Sequence, residues 1–338
     1  MTEQMHDTQP AAQAVQSPAE ETSTAQTAVA EAQSAAPAQD LSKGLSKYLI
    51  FAFGIAWALF ITGCVMTLNG NAAAFTLFSS LGMFAPLIAA CIVSRGISRK
   101  KTGVQWKPLF KGRWGWWLLA WVSPALLTLL GAGLFFVLFP AAFDPTCSEY
   151  LTAKFGAATA AATMANLTPA AYMAIGCVQA LLGAFFNMLF AVGEEAGWRG
   201  YMYPRLKARF GEAKGRIVGG LIWGSWHWPL IILVGYEYNL GIFNAPWYMV
   251  LAGMGLFCIV CVALGTLMDF FYEKAGNIWA PALAHGAFNA IASFGLMMTT
   301  AAYLDRQMLG PMPISVIGGL PLFLTAAVIL ARSARKKA

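Results

Sequence analysis

From Lys47 onward the chain alternates long apolar runs with short connections whose polar residues are mostly cationic. A helix needs about 20 residues to cross a hydrocarbon core of about 30 Å. Runs of that kind recur about eight times, near 48–68, 73–94, 115–139, 170–198, 216–236, 246–268, 277–297 and 312–331. They lack the two-residue alternation of a barrel strand, and in lipid every backbone N–H and C=O must be satisfied internally, so the pattern predicts helices. Thr168 followed by Pro169 has the form of an N-cap with Pro at the first helical position. The expected fold is all-α, a polytopic membrane protein of about eight transmembrane helices.

Composition narrows this further. Of 338 residues, 58% are hydrophobic and only 11% charged, against about 25% charged in soluble domains. Residues 1–42 are rich in Ala, Gln, Thr, Ser and Pro, with too few large apolar side chains to offset the entropy of ordering. They are expected to be a disordered tail, with the membrane domain at 43–338. No cleaved signal peptide is expected, because the first apolar run begins only near Lys47.

Charge then gives an orientation. Counted over alternate connections, twenty of the 22 Lys and Arg residues fall on one side, leaving only Lys154 and Arg306 opposite. Cations collect on cytoplasmic connections, so both termini are expected to be cytoplasmic. The cationic excess is read as topology, and no nucleic-acid partner is expected. The six cysteines have no zinc-type pairing with histidine, and Cys258 and Cys261 are read as core packing.

Three apolar runs carry ionisable residues that lipid disfavours: Glu194, Glu195 and Arg199 in the fourth, His227 in the fifth, His285 with Asn289 in the seventh. Such residues face a protein interior or a wet cavity. At 1.5 Å per residue, His227 lies about 16 Å beyond Arg216 and His285 about 12 Å beyond Asn277, with the glutamates within two turns of the end of their run. All reach one slab at or on the cytoplasmic side of the midplane. Glu195 and Arg199, four apart, are expected to form an ion pair. Glu194, rotated by about 100°, is left free. Trp198, Trp223 and Phe288 are expected to wall the resulting pocket.

A carboxylate in such a pocket can take a proton from water, while imidazole or amide donors stabilise an oxyanion, which is peptide-bond hydrolysis in outline. The same groups could hold a divalent metal such as Zn2+ on Glu194, His227 and His285, although the spacing is not H-E-x-x-H. A transporter would need polar groups in the other half of the membrane, where the sequence offers only Tyr236, Glu237 and Tyr238 at a helix end.

The three motifs, in this order, resemble those of the CAAX protease and bacteriocin-processing (CPBP, or Abi) family of intramembrane proteases: Glu-Glu-x-x-x-Arg at Glu194, Glu195 and Arg199, a histidine at His227, and His-x-x-x-Asn at His285 and Asn289. Trp223 stands where the family often has Phe. The resemblance covers about 170–296. It implies an intramembrane endopeptidase of bacterial plasma-membrane type, acting on a membrane-bound or hydrophobic peptide from a cavity open to the cytoplasm. It further implies Glu194 as general base, Glu195 and Arg199 as supports of the helix end, and His227, His285 and Asn289 as ligands of the water or oxyanion. Family members are described both as metalloproteases and as metal-independent glutamate proteases. The alternative it leaves is a non-catalytic peptide-binding or bacteriocin-immunity protein using the same pocket.

Overall fold

The computed structural model describes residues 44–335. The tail expected at 1–42 lies outside the described residues. Within them the chain is helical, with only an isolated bridge between Phe143 and Thr299. The helices are α1 (Leu45–Leu68), α2 (Ala72–Gly82), α3 (Ala85–Ser94), α4 (Arg99–Thr102), α5 (Trp114–Leu138), α6 (Ser148–Phe155), α7 (Ala157–Asn166), α8 (Pro169–Gly197), α9 (Tyr203–Phe210), α10 (Glu212–Trp226), α11 (Trp228–Val234), α12 (Trp247–Ala275), α13 (Trp279–Ile291), α14 (Ala301–Leu304) and α15 (Leu320–Arg335).

Six helical stretches among the described residues are long and apolar enough to cross a membrane: Leu45–Leu68, Ala72–Ser94, Trp114–Leu138, Pro169–Phe210, Glu212–Val234 and Trp247–Ala275. Their length and hydropathy mark an integral membrane protein. Large apolar side chains remain exposed on α1, α5 and α8, as at Ile50, Val137 and Phe186, which suits a surface bathed in acyl chains. The last two expected runs are shorter as helices, 13 residues in α13 and 16 in α15. After Ile291 the chain tightens into a 3-10 turn at Phe294–Met298. Pro311, Pro313, Gly318 and Gly319 delay α15 to Leu320, because proline has no N–H for the helix ladder and glycine is a poor helix former.

Thr168 caps α8 as the sequence suggests, its Oγ1 accepting from Ala171 N at 3.2 Å. The connection at 139–168 holds two short helices, α6 and α7.

The helices that carry the polar motifs pack closely. α13 lies along α8 and α10 along α12. Two glycines set those approaches: a Cβ on Gly286 would lie 2.5 Å from Ala184 O, and one on Gly224 would lie 2.6 Å from Cys258 Cα. Both contacts are with backbone or Cα atoms that cannot swing aside. Small residues at such crossings let membrane helices approach closely enough for dispersion contacts to hold them.

At one end of the bundle a second buried polar cluster ties four helices together. Asp269, fully buried on α12, accepts from Arg216 Nε at 2.7 Å and Lys207 Nζ at 2.9 Å. Glu273 receives Lys207 at 2.6 Å and Arg216 at 2.8 Å, and Glu212 stands 3.6 and 3.7 Å from the same cations. Arg216 also donates to Ser333 Oγ on α15. Removing one partner of a buried pair strands a desolvated charge, at about 3–5 kcal/mol. Since Glu273 still faces Arg216, the lower end applies: Asp269→Asn is expected to cost about 3 kcal/mol, checked by denaturant unfolding in micelles.

The connection after α5 is organised by Asp144. Its Oδ1 accepts from Thr146 N at 2.9 Å and Thr146 Oγ1 at 2.5 Å, and its Oδ2 from Glu149 N at 2.9 Å. Burial pushes this carboxyl up, but the Thr146 hydroxyl and the backbone N–H donors of Glu149, Thr146 and Ser148 favour the anion and win, so it titrates below the usual carboxylate range. A group with a depressed folded-state pKa contributes stability above its unfolded value, near 3.9, which is lost as pH falls through the folded one. Hydrogen exchange at the amides of Thr146 and Glu149 is therefore expected to remain protected at pH 5 and to quicken below about pH 4. In Asp144→Asn it quickens at both pH values.

Candidate active site

Two local features of the sequence place the polar groups. α8 ends at Gly197 and continues as a π turn over Trp198–Met202 before α9 begins. Such wide turns accommodate one extra residue and are frequent at functional sites. The other is the break between α10 and α11, where His227 is the C-cap of one helix and Pro229 opens the next. A proline in the first turn costs no hydrogen bond there, so a new helix can start directly after the histidine.

Glu195 and Arg199 form the pair expected from their spacing, Oε1 to Nη1 at 2.8 Å, both fully buried. The same Oε1 accepts from His285 Nδ1 on α13, also at 2.8 Å. The guanidinium carbon lies 4.2 Å from the centroid of the Trp223 ring and 5.0 Å from that of Tyr203, so aromatic faces supplement its one carboxylate contact.

Glu194 points the other way. Its Oε2 accepts from two indoles, Trp223 Nε1 at 2.7 Å and Trp198 Nε1 at 3.2 Å. Among the described residues Glu194 Oε1 has no protein donor and is not sealed from solvent, while Glu194 itself lines a cavity. His227 donates from Nδ1 to Trp223 O at 2.9 Å. A neutral imidazole that donates from Nδ1 presents Nε2 as an acceptor, and in His285 too it is Nδ1 that is engaged by a protein acceptor. Trp223 thus meets four groups of the site: indole N–H to Glu194, carbonyl to His227, ring face to Arg199, and ring to His285 edge-on with centroids 5.2 Å apart.

The cavity has a volume of about 110 Å³, and Glu194, His227, His285, Asn289, Trp223 and Phe288 line it. At roughly 30 Å³ per water, that is space for three or four molecules. Asn289 is exposed while Glu194, His227 and His285 are buried, which puts it toward the mouth. Glu195 and Arg199 do not reach the cavity; they are packed behind it. Trp198, expected as a wall, is not one. Its ring is fully buried between Tyr48 and Trp226, with centroids at 6.0 and 5.8 Å, and only its N–H serves the site. The four-residue spacing that pairs Glu195 with Arg199 also pairs Glu194 with Trp198, so this donor was available to sequence reasoning.

Tyr236 and Glu237, just past α11, also line the cavity. Glu237 does so from a left-handed backbone, φ 70°. Nothing in local sequence reports that α11 turns back toward the site. Asp269 was missed for a different reason: a lone acid in a long apolar run acquires its meaning from cations on other helices.

The donors Glu194, His227 and His285 are of the right type for zinc, and second partners on each Nδ1 are what metal-bound histidines show. Their ligand atoms, however, are not gathered. Among the described residues the only such trio with ligand atoms all within 4.8 Å of one another is Glu212, Asp269 and Glu273, and Lys207 and Arg216 already neutralise it. In this arrangement the site residues do not fit one shared ion.

Residues 176–291 match the family model described as type II CAAX prenyl endopeptidase Rce1-like. A segment of 65 residues is 43% identical to CAAX prenyl protease 2 of Methanococcus maripaludis, covering 19% of this chain and 24% of that protein. The chain therefore spans about a quarter of the curated relative it matches. The family-model match covers the part of the chain that carries the three motifs.

Because the Trp223 indole donates to the Glu194 carboxylate at 2.7 Å, a double-mutant cycle of Trp223→Phe with Glu194→Leu in denaturant unfolding is expected to give a coupling of about 1.5–3 kcal/mol, the range for hydrogen bonds to charged groups. A coupling near zero would remove the bond.

Proposed function

We propose that the protein is an intramembrane endopeptidase that hydrolyses a peptide bond of a membrane-associated or hydrophobic peptide. The observation that carries this reading is the convergence of Glu194, His227, His285 and Asn289 on one small cavity from three separate parts of the chain. Glu194 Oε1 takes the proton of a water held there. The water oxygen attacks the carbonyl carbon, and the proton passes to the leaving amine. The imidazole Nε2 atoms accept from the water and orient it, while the Asn289 amide donates to the developing oxyanion, in a site shielded enough for such bonds to count. Glu195 and Arg199 hold the helix end and do not touch the reacting atoms.

The reading is metal-free, because the carboxylate and imidazoles are separately held rather than gathered about one point. It takes the cavity to open toward the cytoplasm in a bacterial plasma membrane, since the connections near Arg199 and Arg216 carry many cations. Both termini lie on that side. α13 with its 3-10 turn and α15 with the turns before it complete eight passages, shielded by neighbours where they fall short of a lipid-facing span. The relative's name, a CAAX prenyl protease, suggests a peptide with a hydrophobic tail as one substrate class.

The test is comparative proteomics of membrane peptides from cells carrying the wild type or Glu194→Gln. Loss of a general base reduces rates by about 10²–10⁴-fold, so processed peptides are expected to vanish in the variant at unchanged protein abundance. Unaltered processing would remove Glu194 from that role. Processing abolished by a chelator would replace the metal-free mechanism with one using an ion.

A further inference from the structure

The segment from Arg95 to Arg113 carries seven cations, Arg95, Arg99, Lys100, Lys101, Lys107, Lys111 and Arg113, and no acid. All but Arg113 are exposed. Among the described residues none of the seven has a carboxylate within 4.0 Å; the acids at the nearby end of α12 are engaged by Lys207 and Arg216. The described part of the protein therefore leaves these cations uncompensated.

This segment is also fastened to the candidate active site. Gln105 O accepts from Ile278 N at 3.0 Å, directly before α13 and seven residues before His285. Trp106 O accepts from Trp279 Nε1 at 2.7 Å. Val104 is fully buried against Ala196 and Ile278, and a Cβ on Gly200 would stand 2.7 Å from its Cγ2. Ala196 and Gly200 are the residues after Glu195 and Arg199. One strap thus touches both helix ends that meet at the Glu195–His285 bond. At its far end Phe110 stacks on Trp114 with centroids at 4.8 Å, and Trp114 is 66% exposed, placing aromatic rings where a span enters the membrane.

We propose that residues 95–113 form a binding surface for anionic phospholipid headgroups, and that headgroup binding steadies the contact between the strap and the two site helices. Clusters of four to eight Lys and Arg beside a membrane span attract acidic lipids, and interfacial Trp anchors at headgroup depth. A bilayer presents many phosphates at once at the level of Trp114, which matches a row of exposed cations better than a single soluble anion does. The binding itself does not depend on the peptidase reading.

The experiment is hydrogen exchange on the protein in nanodiscs of phosphatidylcholine alone or with about one third phosphatidylglycerol. The amide of Ile278, whose acceptor is Gln105 O, reports docking of the strap directly. Acidic discs are expected to slow its exchange on the order of threefold or more, and the variant Lys100→Gln, Lys101→Gln, Lys107→Gln, Lys111→Gln to abolish the difference while exchange in α12 stays as in the wild type. Glu194→Gln, which tests the peptidase, is expected to leave the lipid effect intact. Equal exchange in both discs, or a difference that survives in the quadruple variant, would overturn the proposal. Slowing by inorganic phosphate in phosphatidylcholine discs would also overturn it, in favour of a soluble anion.

Discussion

A single buried oxygen, Glu195 Oε1, fixes the geometry on which the site depends. It accepts from Arg199 on its own helix and from His285 on α13, each at 2.8 Å. A carboxylate with no exposure is tolerable only if neutralised and hydrogen-bonded, so α8 and α13 cannot slide or rotate apart without stranding a charge. The glycine contact of α13 on α8 at Gly286 brings the backbones close enough for that bond to form. Packing and electrostatics here demand the same register.

With Glu195 committed to structure, its neighbour is available for chemistry. The two carboxylates differ by one residue and about 100° of rotation, and they end in opposite environments. Glu195 faces a guanidinium and an imidazole, Glu194 two indole N–H groups on one oxygen and open space on the other. Trp223 links the halves, since its ring carries Arg199, its N–H binds Glu194 and its carbonyl orients His227. A phenylalanine in its place would retain the ring and lose the donor.

The rest of the bundle supports this arrangement at a distance. The Asp269 network joins α9, α10, α12 and α15 through buried ion pairs, anchoring the end of α10 opposite His227. The cationic strap at 95–113 fastens α8 and α13 where they meet. Both lie outside the cavity and both constrain the helices that form it.

Reading the sequence alone gave the helical class, the stretches that became the six long spans, the cap at Thr168 and the ion pair of Glu195 with Arg199, because each is set by hydropathy or by contacts within one helical turn. It also gave Glu194, His227, His285 and Asn289 of the cavity, since ionisable groups in apolar runs are conspicuous wherever they fall. It did not give the orientation of Trp198, the return of Tyr236 and Glu237, the meaning of Asp269, or the shortening of α13 and α15. Those depend on which helix lies against which, and on how far backbones approach at residues such as Gly224 and Gly286. Local pattern specifies what each helix carries. Only the packing of helices distant in sequence decides what each of those groups faces.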